Sequence, residues 1–445
     1  MGCVEAISDI RKGKSMNKFC KLVMCCLMML PVQAQVKFIS FDDQPQRSTA
    51  APCVLLMRAL NHWGGVEMHT LALYKTLYSL GYNVRILVRE GSKIQSELIN
   101  ANLPHYVICM KKDEFLQTKG TTLQALLASA IDEVCTREKI DVVHTNKALE
   151  LRAALELKAK FNFAIVVQHH SYEHPTNMDQ IRCADAFLST SPNVIKDIKN
   201  ENTHCNLGIK NIEFIPPMTL DNHFLNFSPT YRSKQTFFKK SFGFDIGALP
   251  IVCMIAHLDA CKNHELLLKA AHILITELDT PFHVVLAGTD SDSPGRKDEL
   301  VAMVAKLGLK KYVHFLGFVD KIAELLYHSD IKVLPSTGEA FAIAVLEAAI
   351  MAKPIILSRA SGAADQIVFH KKTGLLFDST NAMELALDIK MLVDDKAFAR
   401  KLGLQARALV TEKFSEVAIA KRYMSAYDNV YWQKQAKEEL SKYKQ

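Results

Sequence analysis

No two cysteines in this 445-residue chain are spaced as CxxC, although it carries eleven. Cys3, Cys20, Cys25 and Cys26 fall in the first 26 residues, and an odd seven are scattered from Cys53 to Cys261. That pattern argues against a zinc site or a disulfide framework and for reduced, mostly buried thiols. Glycine (18) and proline (14) are too few, and apolar residues (49%) too many, for a collagen-like or mainly disordered chain. No short-period repeat or low-complexity tract appears. There is no HExxH or similar metal pattern, and no GxGxxG dinucleotide fingerprint. No Lys/Arg cluster is interleaved with aromatics, so a nucleic-acid partner is not expected. What remains is a folded chain of about two α/β domains. Its net charge of +7 suits anionic small molecules or an anionic membrane surface.

The N-terminus reads as a targeting question. From Met16, a second possible start, a Lys-bearing stretch precedes an apolar run from Leu22 to Val32 and a Val32-Gln33-Ala34 triplet. Those are the three parts of a secretory signal. The run is too short to span a bilayer, and no later segment reaches that length without charges. The first 50 residues are expected to form an extension outside the fold.

The body alternates strands with helices. Val54–Ala59 is an apolar run suited to a buried parallel strand. A loop through Gly64-Gly65 follows, then a helix over Glu67–Leu80 stopped by Gly81. Strands are expected at Val84–Val88, Asp141–His144, Ala164–Gln168, Ala184–Ser191 and Ile212–Pro216, with helices over 121–137 and 148–158. Residues 228–247 are polar and poorly periodic, and read as a linker. A second series follows. Its strands are Ile251–Ala256, His283–Ala287, Val313–Leu316, Ile331–Leu334 and Pro354–Leu357. Its helices are Asn263–Leu278, Lys297–Leu307, Lys321–His328 and Phe341–Met351. Such alternation implies parallel doubly wound sheets, here two Rossmann-like domains facing a cleft.

Chemistry-bearing residues fall at strand ends. Gly64-Gly65 lets the backbone turn tightly and lets a phosphate approach a helix N-terminus, although an ordinary turn fits the spacing better. Lys262 follows a strand and offers a point charge to a phosphate, or is simply a solvated lysine. His169 and His170 end Ala164–Gln168, at the edge that faces a ligand crevice, or are plain loop histidines. Gly288, Gly317-Phe318 and Ser361-Gly362 mark the same edge of the second sheet. The strongest signal is Glu339 and Glu347, eight apart in Glu339-Ala340-Phe341-Ala342-Ile343-Ala344-Val345-Leu346-Glu347. Along a helix, eight residues rotate to within about 80° of the start, so both acids would lean towards one cleft. A carboxylate among Val345, Leu346, Ala348, Ala349 and Ile350 is not expected to be fully buried without a partner, the plainer alternative being an N-cap acid and a rim acid on an ordinary helix.

The ordered set resembles the retaining glycosyltransferases of the GT-B fold, the large GT4 group. It comprises Gly64, Gly65 and Glu67; His169/His170; Lys262-Asn263; Ala287-Gly288; Phe315-Leu316-Gly317; Leu334-Pro335-Ser336; Glu-x7-Glu; Ala352-Lys353-Pro354-Ile355-Ile356; and Thr373-Gly374-Leu375-Leu376. The resemblance covers roughly residues 53–430 and is more specific in the second half. It implies an acceptor-side domain over 51–230, a nucleotide-sugar domain over 245–412, and a C-terminal helix within 413–445 crossing back to the first. Glu347 looks like the acid that binds the ribose hydroxyls, Glu339 like the acid facing the donor sugar, and Lys262 like the diphosphate partner. Gly65 would bring amides to the distal phosphate. His169 or His170 would contact the donor sugar, the two not being distinguished. His257, Gly288, Phe318, Ala340, Phe341 and Ala342 complete the implied donor site. Four positions depart from the family pattern. His257 replaces an Arg, Ala340/Ala342 replace the glycines of Glu-Gly-Phe-Gly, and Asp365 stands where Glu is commoner.

The implied activity is retaining transfer of a sugar from a UDP- or GDP-sugar to a glycan or lipid-linked acceptor, with no bound cofactor or metal. The alternative is a weakened protein that binds nucleotide sugar or glycan without turnover, which His257, Ala340 and Ala342 motivate. A cytoplasmic location follows from the donor, and the signal-like N-terminus leaves export open. Lys239-Lys240, Lys310-Lys311, Lys371-Lys372 and the C-terminal lysines suggest peripheral membrane contact, with solvated surface charge the somewhat stronger explanation.

Overall fold

A computed structural model of the chain describes residues 35–41, 51–58, 65–109, 120–176, 178–206, 208–218, 224–291 and 293–442. Apolar, largely β-branched runs build two sheets, as buried parallel strands require. The first holds β1 (Val36–Ile39), β2 (Val54–Arg58), β3 (Val84–Arg89), β4 (His105–Ile108), β5 (Val142–Thr145), β6 (Ala164–His169), β7 (Ala186–Ser189) and β8 (Ile212–Phe214). Its order is β1-β4-β3-β2-β5-β6-β7-β8, with only the β1–β4 edge pair antiparallel. The second is all parallel: β9 (Ile251–Ile255), β10 (His283–Ala287), β11 (Val313–Gly317), β12 (Ile331–Leu334), β13 (Ile355–Ser358) and β14 (Leu375–Phe377). Its order is β11-β10-β9-β12-β13-β14. Strand order therefore reverses between β2 and β5 in one sheet and between β9 and β12 in the other. Ligands bind at such switch points, beyond the carboxyl ends of the strands.

The helices that position the site are α1 (Gly65–Ser79), α2 (Ala148–Phe161), α3 (Lys234–Phe242), α4 (His264–His272), α5 (Ile343–Ile350) and α6 (Glu416–Lys442). α6 leaves the second unit and docks on the first. Tyr82 donates to Asp428 (2.8 Å), Tyr423 to Gln168 (2.9 Å), and Tyr427 meets His144 Nδ1 (2.7 Å). This is the GT-B architecture, with its C-terminal helix returned to the first domain.

Four expectations are corrected. Residues 36–39 lie inside the fold, because their backbone satisfies the otherwise open edge of β4. The signal-like segment lies outside the described residues. The supposed linker 228–247 contains α3, whose Phe237 and Phe238 are buried and whose Phe237 ring stacks on His328. Its weak periodicity hid an aromatic face that packs on the second unit. The helix expected over Asn263–Leu278 is divided into a 3-10 turn (Ala260–Lys262), α4, and a π turn (Ile273–Glu277). Finally, α5 begins at Ile343 rather than Phe341. Glu339 instead pairs with Ser361 as an extended bridge, so the helical-rotation argument linking it to Glu347 does not hold.

Candidate functional site

The second-sheet crevice is assembled by loops locked to one another. Asn263, at φ 59°, donates from its side chain to Pro335 O (3.2 Å) and Ser379 O (2.9 Å), while Thr337 N–H donates to Cys261 O (2.9 Å). These bonds hold the loop after β9 against the loop after β12. Lys262 consequently forms a direct ion pair with Glu339. Both groups are half-buried, and the attraction of Glu339 raises the Lys262 pKa against the opposing effect of burial. Two glycines make the close approach possible. A Cβ on Gly288 would lie 1.8 Å from Ala256 O, and one on Gly362 would lie 1.7 Å from Ala340 O.

Glu347 lies in α5 with 5% of its surface exposed. Burial pushes its carboxyl up to about 7, against the pull of Lys332. Its side chain accepts no hydrogen bond among the described residues. Ala342 caps α5 at φ 65°, a conformation L-residues disfavour. Phe341 is 1% exposed, its ring spent on Phe214 and Phe414. Ala340 is buried, whereas His257 is exposed and Phe318 is 67% exposed. The ring of Phe318, just after β11, therefore faces solvent.

The first unit closes over this crevice. A Cβ on Gly338 would sit 2.6 Å from the Tyr172 ring, and one on Gly65 3.2 Å from Ile343 Cδ1. Gly65 therefore sits at the second unit's α5, while Gly64 lies outside the described residues. The two histidines part company. His169 Nε2 bonds Glu173 O (2.9 Å), and its ring leans on Phe187. His170 Nε2 bonds Asn146 Oδ1 (2.9 Å), while Asn146 Nδ2 donates to Met57 O (3.0 Å). With the amide so oriented, His170 carries its proton on Nε2 and leaves Nδ1 as an acceptor. Its pKa lies well below the ordinary value, through burial and then the neighbouring His69 and His144.

Sequence reasoning missed the polar layer beneath these residues. Arg58, at the end of β2, forms a buried ion pair with Glu67 and lies 4.0 Å from Glu150, which accepts from the Asn146 and Lys147 amides. Met218 N–H donates to His69 Nδ1 (2.8 Å), His69 Nε2 faces the Tyr423 hydroxyl (3.1 Å), and that hydroxyl donates to Gln168. Because the backbone amide must donate to Nδ1, His69 bears its proton on Nε2. Lys332 was missed as well, although a lysine inside the apolar strand Ile331–Leu334 was a legible anomaly.

Two doubly wound sheets, a crevice at each switch point and an acid–lysine pair at the second are the GT-B arrangement. The chain belongs to the glycosyltransferases of group 1 and family 4. The family described as "Glycosyl transferases group 1" matches residues 238–409, and "Glycosyltransferase Family 4" matches residues 63–217. Among curated relatives, the N-acetyl-alpha-D-glucosaminyl L-malate synthase of Bacillus anthracis is 25% identical over 376 residues. That match spans 82% of this chain and 94% of the relative. A glycosyltransferase structure from Rickettsia africae superposes with a TM-score of 0.72 at 21% identity, covering 85% of this chain and 98% of the other. The Anabaena Alr3699/HepE structure in complex with UDP-glucose superposes at 0.67 and 18% identity, covering 83% and 97%. No helix among the described residues is long and apolar enough to cross a membrane.

Proposed function

We propose that this chain transfers a sugar, with retention of anomeric configuration, from a nucleoside-diphosphate sugar to a glycan or lipid-linked hydroxyl acceptor. The observation that carries the reading is the Lys262–Glu339 ion pair at the second switch point, together with the buried Glu347 carboxylate, which accepts no hydrogen bond among the described residues. Each group matches one part of the donor. Glu347 accepts hydrogen bonds from the ribose hydroxyls. Lys262 leaves Glu339 for the diphosphate and stabilises the charge that develops on it as the glycosidic bond breaks. Glu339, freed from Lys262, accepts from the sugar hydroxyls. His170, with Nδ1 unprotonated, meets the sugar from the first unit. The acceptor oxygen then attacks from the face the leaving group vacates and gives its proton to a diphosphate oxygen. The two acids are thus not a glycosidase pair. The Anabaena relative's UDP-glucose complex favours a UDP-sugar donor, and GDP-sugars are the next class to test.

The test is thermal stabilisation by UDP-, GDP- and ADP-sugars, followed by NMR of the product anomer. A donor that stabilises the wild type but not Glu347→Ala, and yields a retained product, is expected. Stabilisation unaltered by Glu347→Ala would place the nucleotide elsewhere. The exposed His257 stands where the resemblance expects an Arg, which favours binding without turnover as the second reading. Stabilisation with neither transfer nor hydrolysis would select it.

A further inference from the structure

Lys332 is fully buried, at 0% exposure, on β12 beside β9, the strand pair at which the second sheet reverses its order. Its ammonium donates to Ile255 O (3.4 Å), the last carbonyl of β9. The nitrogen therefore lies at the carboxyl edge of the sheet, under the loop that carries Lys262. A buried ammonium with one long hydrogen bond is costly unless an opposite charge stands near. The titratable groups near enough to act on it electrostatically are Cys253 from β9, Lys262 and Glu339 from the crevice loops, Glu347 from α5 and His264 from α4. Cys253 is a buried thiol whose pKa is raised, and burial holds His264 neutral, down at about 3. That leaves two cations and two carboxylates. Lys262 and Glu339 are already paired to each other. The charges left over are Lys332 and Glu347, neither with a charged hydrogen-bond partner among the described residues.

We propose that Lys332 is the counter-charge that holds the Glu347 carboxylate ionised inside the donor crevice, a positioning residue for ribose recognition. The inference rests on the donor-site reading above. Its physical sense is plain. A protonated carboxyl is a poorer acceptor for two hydroxyls than a carboxylate, and burial drives Glu347 towards protonation near neutral pH. A direct Lys332–Glu347 hydrogen bond would occupy the oxygens the ribose needs. A cation on the strand below keeps the charge and leaves the oxygens available. Lys332, drawn down to about 8 mainly by burial and supported by Cys253 and then Glu347, still carries its proton at neutral pH.

Two measurements test this on the full chain. The first needs no nucleotide: a thermal-unfolding cycle of wild type, Lys332→Met, Glu347→Gln and the double variant at pH 7.5. Lys332→Met alone is expected to lower Tm, and adding Glu347→Gln to recover much of the loss. Additive shifts overturn the pairing. The second is calorimetric titration with UDP and with GDP between pH 6 and 9. Wild-type affinity should fall about tenfold per pH unit below the Glu347 pKa. In Lys332→Met that limb should begin at higher pH, with the affinities converging towards pH 9. Lys332→Gln, which keeps donors without charge, should behave like Lys332→Met. An unmoved limb in a wild type that binds overturns the proposal. If the cycle is coupled but neither nucleotide binds wild type at any pH, the donor-site reading fails and the ribose role fails with it.

Discussion

At the scale of single residues, the crevice is governed by where charge and strain are placed. Glu339 and Lys262 neutralise one another as an ion pair, and on the function proposed above a diphosphate would have to displace that pair. Ala342 carries the clearest strain. Its φ of 65° is one that glycine adopts without penalty, and the resemblance expects glycine there. A non-glycine residue in such a region costs about 1–3 kcal/mol. Glycine's extra unfolded-state freedom returns about 0.4–1 kcal/mol. Ala342→Gly should therefore stabilise the protein by about 1 kcal/mol, read by urea unfolding. A neutral or destabilising result would mean that the Ala342 methyl makes compensating contacts around Ile343.

At the scale of elements, α6 belongs by covalent continuity to the second unit and by contact to the first. Ile419, Ala420, Tyr423, Tyr427 and Val430 are buried, and Arg422 donates to Phe214 O at the end of β8. The Tyr423 hydroxyl is the pivot, facing His69 Nε2 and donating to Gln168 Oε1 while His69 Nδ1 takes the Met218 amide. Helix α1, strand β6, the crossing segment at Met218 and α6 thus share one buried network. Tyr423→Phe leaves the Nε2–H of His69 and the Gln168 oxygen unsatisfied. Each buried unsatisfied group costs about 1–3 kcal/mol, so an overall loss on the order of 2 kcal/mol is expected in denaturant unfolding. A loss below about 0.5 kcal/mol would show that water or rearrangement replaces the hydroxyl.

At the scale of the whole molecule, the polar layer beneath the first crevice makes the fold acid-sensitive. Burial holds His69 and His144 neutral, at about 3, and His170 well below its ordinary value. In the unfolded chain each titrates near 6.5. Below that pH the unfolded state binds protons that the folded state refuses, so stability falls as pH falls. It is retained in full above 6.5. Three such histidines give a slope of roughly 4 kcal/mol per pH unit once well below 6.5. Denaturant midpoints at pH 7.5, 6.5 and 5.5 should drop steeply over the last interval. A flat profile would mean that these histidines are already charged in the folded protein.

The local sequence was enough for much of the architecture. Runs such as Val54–Arg58 and Ile251–Ile255, alternating with amphipathic helices, can be satisfied only as parallel strands covered on both faces. The order of Gly65, His169/His170, Lys262 and Glu-x7-Glu along the chain marked the crevice, because strand ends in such sheets converge at one edge. Tertiary structure decided which of these groups meet. Lys262 and Glu339 are 77 residues apart, His69 and Tyr423 are 354 apart, and no local period links either pair. It also decided that Val36–Ile39 closes an edge and that Lys234–Phe242 is a packed helix. Above all it placed Lys332 and Glu347 in one desolvated crevice. A lone lysine in a strand and a lone glutamate in a helix are anomalies in sequence. They acquire a common electrostatic reason only where folding removes the water from both.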